Sequence, residues 1–485
     1  MFNSALVLTF KQKLYEMSKK MKFPLIALVV FLTYSCHEDI DDELDPASDA
    51  EINDFIWKGM NVFYLYKSDV PDLADDRFNS DEEYTEYLNS FDSPETLFNS
   101  VLRDNDEFSI IVEDFRVLEQ SLDGVSLDSG MRFGLALIES SGEVFGYVRY
   151  VVNDSPADQQ GVERGMLFNK VSGEVLTENS DFSGLFSQQN FSIGLAELNG
   201  SSVEALDQTI DLTQVEITEN PIHRTNVIDM ANDKVGYLMY TGFIDDFVNQ
   251  LNSVFGQFAS ENITELVVDL RYNSGGNIST AEDLSSMITG QFNGELFATQ
   301  AFNNNFEDRD ILFDNETSSG ASINSLNLNR VYFITTSSTA SASELVISAL
   351  SPYIDVVQVG TTTTGKFQGS RTIYDSPDFT RQNANPNHKY ALQPLVLKTV
   401  NANGLTDFSN GLTPDVEQSE DLTNLGQLGE PTEPLLSNIL NIIGNGRTSP
   451  QHLPFEYEII GETKMNTPDF QRMYTNEKLI SPQIP

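Results

Sequence analysis

The stretches that decide the fold of this chain are LVVDLRYNSGGN at residues 266–277, TTSSTASASELVISAL at 335–350 and VVQVGTTTTGKFQG at 356–369. Each one joins an apolar run to a turn of small residues. The first turn offers two adjacent glycines, the second a row of serines and threonines, and the third a single lysine, Lys366. A serine, a lysine and glycine amides on three turns are the parts of an acyl-transfer site.

The spacing of these runs predicts a βαβ unit. Residues 331–335 and 355–359 are short β-branched runs, and residues 342–350 between them have helical spacing. The run 266–270 adds a third strand, followed by a helical pattern at 280–288. Loops beyond the carboxyl ends of parallel strands gather at one edge of the sheet. We therefore expect the three turns to meet there.

The chemistry requires a base for the serine, because a serine hydroxyl is a weak nucleophile. None of the four histidines lies in the three turns. Lys366 lies in a window without carboxylates, from Gln358 to Tyr374. Burial lowers the pKa of a lysine, so that its neutral amine can act as the base. The glycine amides can hold an oxyanion. A serine peptidase is the leading interpretation.

Each part also has an ordinary structural explanation. Serines and threonines before a helix are common N-caps, and a lone lysine is by default a surface residue. Asp269 and Arg271 are expected to form a structural ion pair rather than to take part in catalysis. The agreement of all three turns and of their spacing favours the active site over these explanations.

The segments DLRYNSGG, TASASE and VGTTTTGK resemble motifs of the tail-specific, or C-terminal processing, serine peptidases. With the segment GLTPD at 411–415, the match covers roughly residues 225–420. The resemblance implies that Ser341 is the nucleophile and that Lys366, 25 residues later, is its base. It also implies an oxyanion hole built from three backbone amides, those of Ala342, Gly275 and Gly276.

The chain departs from this family pattern after the lysine. Many relatives have a glutamine four residues after it, where this chain has Ser370, with Gln368 two residues earlier. Some relatives have an aspartate eleven residues after the serine, where this chain has Pro352. Gln368 and Ser370 are therefore both candidates for the third member of the site.

Residues 131–137 (MRFGLAL) and 152–173 (VNDSPADQQGVERGMLFNKVSG) resemble a PDZ domain. The resemblance implies that four residues form its carboxylate-binding loop: Phe133, Gly134, Leu135 and Ala136. At such a loop an extended peptide adds to a free strand edge, and its C-terminal carboxylate binds backbone amides. The alternative is a β-rich spacer that binds no ligand.

The chain start predicts export. Lysines 19, 20 and 22 precede a short apolar run, residues 23–33, which is typical of a secretory signal and too short to span a bilayer comfortably. Cys36, the only cysteine, resembles the lipid-bearing cysteine of bacterial lipoproteins. A plain secretory signal with an incidental cysteine is the alternative. We expect a lipid-anchored protein of the cell envelope, on the periplasmic side or at the cell surface.

The whole pattern predicts a multidomain α/β (α+β) chain, with a parallel-sheet peptidase core, a PDZ-like β-rich domain and a small helical N-terminal domain. The predicted segments are a signal peptide (1–36), an acidic tether (37–46), the helical domain (47–112), the PDZ-like domain (113–215), the peptidase core (216–445) and a C-terminal extension (446–485).

The charge of the chain narrows the choice of partners. With 73 acidic and 28 basic residues, the net charge is −45. This excludes ordinary nucleic-acid binding and adhesion to anionic headgroups, and leaves the lipid as the membrane link. No metal-ligand or phosphate-loop motif occurs, so no cofactor is expected. The expected partners are protein or peptide substrates, selected by their C-termini, while the oligomeric state stays open.

The predicted function is that of a cell-envelope serine endopeptidase acting through Ser341 and Lys366. Two alternatives remain from the sequence. One is a catalytically silent, PDZ-type peptide-binding lipoprotein, and the other is an esterase or amidase that uses the same dyad. An endopeptidase would cleave proteins, an esterase or amidase would cleave only small substrates such as esters, and a silent binding protein would cleave neither.

Overall fold

The predicted βαβ unit is present in the computed structural model of the chain, which describes residues 45–200, 202–446 and 456–476. It belongs to a six-stranded central sheet, with the spatial order Ile222–Asp229, Lys234–Tyr240, Glu265–Asp269, Arg330–Thr335, Asp355–Gly360 and Val416–Glu417. The first pair is antiparallel and all later neighbours are parallel. The prediction of parallel strands is confirmed.

The central strands of this sheet are largely apolar because helices cover both of its faces. Glu265–Asp269 is buried along its whole length, as is typical of parallel strands covered on two sides. The covering helices are Val248–Glu261, Ile278–Thr289, Ala342–Leu350 and Pro434–Asn445, with a 3-10 turn at Asp245–Phe247. Leu435, Leu436 and Ile439 of the last helix pack into the core with Tyr237 and Val359. This packing holds the sheet in place beneath the three turns.

Two further sheets extend the core. One has the spatial order Gly276–Asn277, Met473–Tyr474, Gln368–Ser370, Leu395–Val400, Leu296–Phe302 and Arg309–Leu312. The other has the order Ile110–Val112, Ala391–Gln393 and Ile373–Tyr374. The first of these sheets takes one strand from the glycine motif, one from the lysine motif and one from residues 456–476.

The predicted PDZ-like region forms a seven-stranded antiparallel sheet. Its strands lie in the order Tyr457–Glu462, Met131–Ile138, Glu143–Val151, Leu167–Val171, Asn190–Asn199 and Ser202–Thr213, and Glu174–Val175 pairs with Leu167–Val171. The remaining elements are Phe115–Leu122, Pro156–Gln159 and Phe182–Phe186, which are helical, and the paired strands Val125–Asp128 and Val215–Thr218. The outermost strand comes from the far end of the chain.

One expectation for this region is wrong. Phe133, Gly134, Leu135 and Ala136 were expected in a carboxylate-binding loop, but they lie within the strand Met131–Ile138. This strand is paired on one side with Glu143–Val151 and on the other with Tyr457–Glu462. The apolar sequence allows burial of both faces, and a Cβ at Gly134 would come within 2.5 Å of the Tyr147 ring. The backbone of these four residues is therefore not a free nest of amides.

The N-terminal region is helical, as predicted, up to residue 100. Its helices are Asp49–Phe63, Asp81–Leu88 and Pro94–Ser100, with 3-10 turns at Lys67–Asp69 and Pro71–Leu73. The N-caps of the three helices are Ser48, Ser80 and Ser93. Each serine side chain accepts a hydrogen bond from the backbone amide of the residue three positions later. Trp57 packs edge-on against Tyr84, with ring centroids 5.2 Å apart. The aromatic residues here form a core, and the chain then joins the smaller three-stranded sheet.

Asp269 and Arg271 form the expected structural ion pair inside a larger buried cluster. The Arg271 side chain is fully buried, and its Nη2 donates to Asp269 Oδ2 at 2.8 Å. Its Nη1 donates to Glu420 at 3.0 Å and to Glu433 at 2.7 Å. One guanidinium thus holds three carboxylates, from the strand, from residue 420 and from the start of the last covering helix.

We expect Arg271→Leu to destabilise the fold by about 3–5 kcal/mol, because it leaves buried carboxylates without their cation. Urea denaturation measures this loss. Arg330→Leu is the matched control: Arg330 pairs with Glu265 at a partly exposed position, where an ion pair contributes only about 0–1 kcal/mol. Equal losses in both variants would contradict the structural role of the cluster.

Some predictions fall outside the described residues. They are the signal segment 1–36 with Cys36, and residues 37–44 of the tether. Residues 45–47 and 386–388 form a small unit of their own, in which the Ala47 amide donates to the Asn387 carbonyl at 3.1 Å. Within the described ranges, no helix has both the length and the apolar character needed to cross a bilayer.

Candidate active site

The three turns meet at one edge of the central sheet, as predicted. A Cβ placed on Gly275 would lie 2.7 Å from Cβ and 3.1 Å from Oγ of Ser341, so the glycine turn touches the serine. The carbonyl of Asn273 accepts the amide of Ala340 at 3.1 Å. The amide of Thr364, in the lysine turn, donates to the carbonyl of Thr339 at 3.0 Å. The serine turn is therefore bonded to both of its neighbours.

Ser341 occupies a strained position at the start of a helix. It precedes the helix Ala342–Leu350 with φ 69° and ψ −116°, a conformation that residues with a side chain rarely adopt. Its side chain is fully buried, and within the described residues Oγ has no hydrogen-bond partner. Strain of this kind clusters at catalytic turns, where the surrounding structure imposes it.

Lys366 is fully buried, and no hydrogen-bond partner of its Nζ lies in the described part of the chain. Its Nζ lies 5.0 Å from the centroid of the Phe108 ring. Burial, together with the positive charge of Arg472, holds the pKa of Lys366 well below its usual value, against the opposing charges of Asp106 and Glu344. A neutral amine at neutral pH is what a general base requires.

Ser341 Oγ and Lys366 Nζ do not hydrogen-bond to each other in this structure. Catalytic hydrogen bonds are often long or absent without a substrate and form in its complex. The two turns are instead connected through their backbones, by the side chain of one further residue.

That residue is Glu344, which was not predicted to belong to the site. Its Oε2 accepts the amides of Ser341 at 2.7 Å and Lys366 at 2.8 Å. Its Oε1 accepts the amide of Gly365 at 2.7 Å and the hydroxyl of Thr363. Burial raises its pKa, while these four donors oppose the shift. The signal for its role was present, since Glu344 is the only acidic residue between Arg330 and Ile354.

The predicted oxyanion donors lie at the site, but two of them are engaged. The amide of Gly275 donates to Asn273 Oδ1 at 2.9 Å, and that of Gly276 donates to the carbonyl of Arg472 at 2.6 Å. Ala342 is the first residue of its helix, where an amide has no acceptor within the helix. The φ values of 118° and 138° at the two glycines explain why glycine is needed there.

Neither candidate for a third member holds Lys366 in this structure. Gln368 Nε2 donates to the hydroxyl of Tyr66 at 3.0 Å, and Ser370 Oγ donates to the carbonyl of Met473 at 3.2 Å. The chain is extended after Lys366, and Gln368–Ser370 pairs with Leu395–Val400. This pairing directs both side chains to other partners.

The GLTPD segment supports the lysine turn. The amide of Thr363 donates to the carbonyl of Leu412 at 3.2 Å, and the amide of Leu412 donates to Thr363 Oγ1 at 2.7 Å. A Cβ on Gly365 would lie 2.5 Å from the carbonyl oxygen of Ser409. The segment from 409 to 412 therefore fixes the backbone that presents Lys366.

The chain is similar in sequence and fold to known peptidases of one family. Residues 234–418 match the model of peptidase family S41, and residues 51–110 match the model of the peptidase S41 N-terminal domain. A putative S41 protease from Bacteroides fragilis NCTC 9343 is 25% identical, with a TM-score of 0.64 over 81% of this chain and 97% of that chain. The photosystem II D1 C-terminal processing protease is 16% identical, with a TM-score of 0.49 over 81% and 98%. No curated protein matches the chain.

Proposed function

Because the chain belongs to peptidase family S41, whose catalytic and N-terminal domains it carries, we propose that it is a cell-envelope serine endopeptidase with a Ser341/Lys366 dyad. One observation supports this proposal above all others. Lys366 is fully buried, its Nζ has no hydrogen-bond partner in the described ranges, and it lies on a turn whose backbone is joined to the strained serine by Glu344. A buried, unpaired amine is costly to the fold and is retained where its low pKa serves chemistry.

In the proposed mechanism, neutral Lys366 accepts the proton of Ser341 as Oγ attacks a peptide carbonyl. The amide of Ala342, with the amides of Gly275 and Gly276 once they are vacated, stabilises the oxyanion. The resulting ammonium of Lys366 then protonates the leaving amine. Water hydrolyses the acyl-enzyme, with Lys366 acting again as the base.

The proposal also places substrate selection in the PDZ-like region and the enzyme in the cell envelope. The strand Met131–Ile138 pairs with an added strand along its outer edge, as a peptide-binding strand does. The signal-like start and Cys36 support export and lipid attachment. Substrates selected by their C-termini would enter along this strand.

The test is cleavage of casein and of C-terminally tagged peptides by the chain from His37 onward, over about pH 6–10. We expect turnover to rise with pH as Lys366 loses its proton. Since burial lowers the pKa of Lys366, this rise should be complete well below its usual pKa. Ester hydrolysis without peptide cleavage would favour the esterase alternative. Peptide binding without any turnover would overturn the proposal in favour of a silent binding protein.

A further inference from the structure

Residues 456–476, the C-terminal segment, complete two different sheets with backbone hydrogen bonds. Its strand Tyr457–Glu462 pairs antiparallel with Met131–Ile138 in the PDZ-like sheet. Its strand Met473–Tyr474 lies between Gly276–Asn277 and Gln368–Ser370, and is parallel to both. The segment thus runs from the predicted peptide-binding strand to a place between the glycine and lysine motifs.

At the active site the segment places a peptide carbonyl beside the nucleophile. The carbonyl oxygen of Arg472 accepts the amide of Gly276 at 2.6 Å. A Cβ on Gly275 would lie 2.4 Å from this oxygen and 2.7 Å from Cβ of Ser341. The Arg472 carbonyl therefore takes up an amide of the proposed oxyanion hole, where the carbonyl of a substrate would bind.

Backbone pairing continues on the lysine side. The amide of Thr475 donates to the carbonyl of Ser370 at 3.1 Å, and the carbonyl of Met473 accepts Ser370 Oγ at 3.2 Å. Neighbouring strands lie about 4.8 Å apart, so the space between the two flanking strands, about 10 Å wide, holds one extended chain. Without the segment, both flanking strands would present unpaired edges at this width.

Polar anchors hold the connection between the two strands of the segment. Glu462 pairs with Arg149 of the PDZ-like sheet and accepts the hydroxyl of Ser338 at 2.8 Å, three residues before Ser341. Thr463 Oγ1 accepts the amide of Phe133 at 2.7 Å. One carboxylate of the segment therefore joins the PDZ-like sheet to the serine turn.

With the C-terminal segment in place, the candidate active site is completely covered. Ser341 and Lys366 are both fully buried, so neither reacting atom is open to a protein substrate. Arg472 is almost fully buried, and its Nη1 has no hydrogen-bond partner within the described residues. Burial of a guanidinium nitrogen without a hydrogen-bond partner costs free energy. This cost lowers the stability of the bound segment and favours its release.

We propose that the C-terminal segment fills the path of the substrate chain and excludes substrates until it leaves. The inference rests on the proposed function and names its substrate class: an extended polypeptide that pairs with Met131–Ile138, Gly276–Asn277 and Gln368–Ser370. The chain's own residues 456–476 are the occupant in the resting state. Displacement of the segment frees the amide of Gly276 and uncovers Ser341.

The test uses the full chain from His37 onward in a Ser341→Ala background, so that binding is read without cleavage. Thr475→Pro removes the amide that pairs with Ser370, and Thr475→Val is the matched control that keeps it. The probe is a fluorescein-labelled peptide with the sequence of residues 456–476, and the readout is fluorescence anisotropy. We expect Thr475→Pro to bind the probe at least about tenfold more tightly than Thr475→Val, because the tethered competitor is weakened.

A second variant loosens the other end of the segment and keeps the test valid if the proline variant fails to fold. Glu462→Gln removes the charge that pairs with Arg149, and it should also raise probe affinity. Equal affinity in the parent and in every folded variant would overturn the inference.

Casein cleavage by the same variants with Ser341 restored separates this inference from the proposed function. Faster cleavage by Thr475→Pro supports both. Tighter probe binding without cleavage by any variant supports the occupied path and overturns the peptidase. Cleavage at equal rates, together with equal probe affinity, overturns the occupied path alone.

Discussion

Lys366→Met is expected to reduce peptide cleavage by about 10³–10⁴-fold, because it removes the base that is proposed to accept the Ser341 proton. The same change should leave the fold as stable as before or raise its free energy of unfolding by about 1–3 kcal/mol. Lys366 is fully buried and its amine has no hydrogen-bond partner among the described residues, so methionine at this position removes no hydrogen bond that the structure shows. Loss of activity with a gain of stability is a combination that a purely structural lysine would not give.

The measurements are casein turnover and urea denaturation of the same preparations. Lys398→Met is the matched control, because Lys398 is partly exposed on the neighbouring strand and pairs with Asp407. We expect it to retain full activity. Ser341→Ala should lose activity to the same extent, and the Ser341→Ala/Lys366→Met double variant should be no worse than either single one. A Lys366→Met protein that still cleaves casein would remove the lysine from the mechanism.

The central sheet could be predicted from the sequence because its signals are local. Two of its parallel strands, Glu265–Asp269 and Arg330–Thr335, are largely apolar and almost wholly buried, and each leads into a turn of small residues. The helix Ala342–Leu350 was predicted with the bounds that the structure shows. The convergence of the turns then follows from topology alone, since parallel strands end at one edge.

The errors come from partners that are distant in sequence. Phe133–Ala136 was predicted as a loop from its resemblance to the carboxylate-binding loop of a PDZ domain, and the sequence FGLA does not show that Tyr457–Glu462, more than 300 residues later, occupies the outer edge of its strand. The same limit applies to Arg472, whose carbonyl binds Gly276. Residues 446–485 carry little periodicity in sequence, and the strands Tyr457–Glu462 and Met473–Tyr474 form on edges that other parts of the chain provide. Local propensity is a weak guide to such added strands.

Gln368 and Ser370 show a different limit. Both were assigned by their distance in sequence from Lys366, yet their side chains bond to Tyr66 and Met473. The residue that does organise the lysine turn is Glu344, which lies 22 positions before Lys366. Helix spacing alone brings this carboxylate back to the amide of Ser341, three residues earlier, as in a capping box. Its hydrogen bonds to the amides of the lysine turn depend on the sheet, because the sheet brings that turn beside the helix.

Glu344→Gln is expected to lower kcat by about 10²-fold, because it misplaces both reacting side chains. The carboxylate accepts two donors on each oxygen, and an amide side chain can accept on only one. A glutamine NH₂ must therefore face at least one backbone amide, that of Gly365 or those of Ser341 and Lys366. Protonation of Glu344 removes the same acceptor, and since burial raises its pKa, activity should also fall early on the acid side.

Glu282→Gln is the matched control for this variant. Glu282 is buried on the neighbouring helix, and burial raises its pKa to about 8, so glutamine resembles the protonated form that burial favours. We expect wild-type kcat and pH profile from the control. Glu344→Gln should lower kcat with little change in KM, since the carboxylate acts on the reacting turns and not on the substrate path. An unchanged kcat, or a loss confined to KM, would show that Glu344 does not position Ser341 and Lys366.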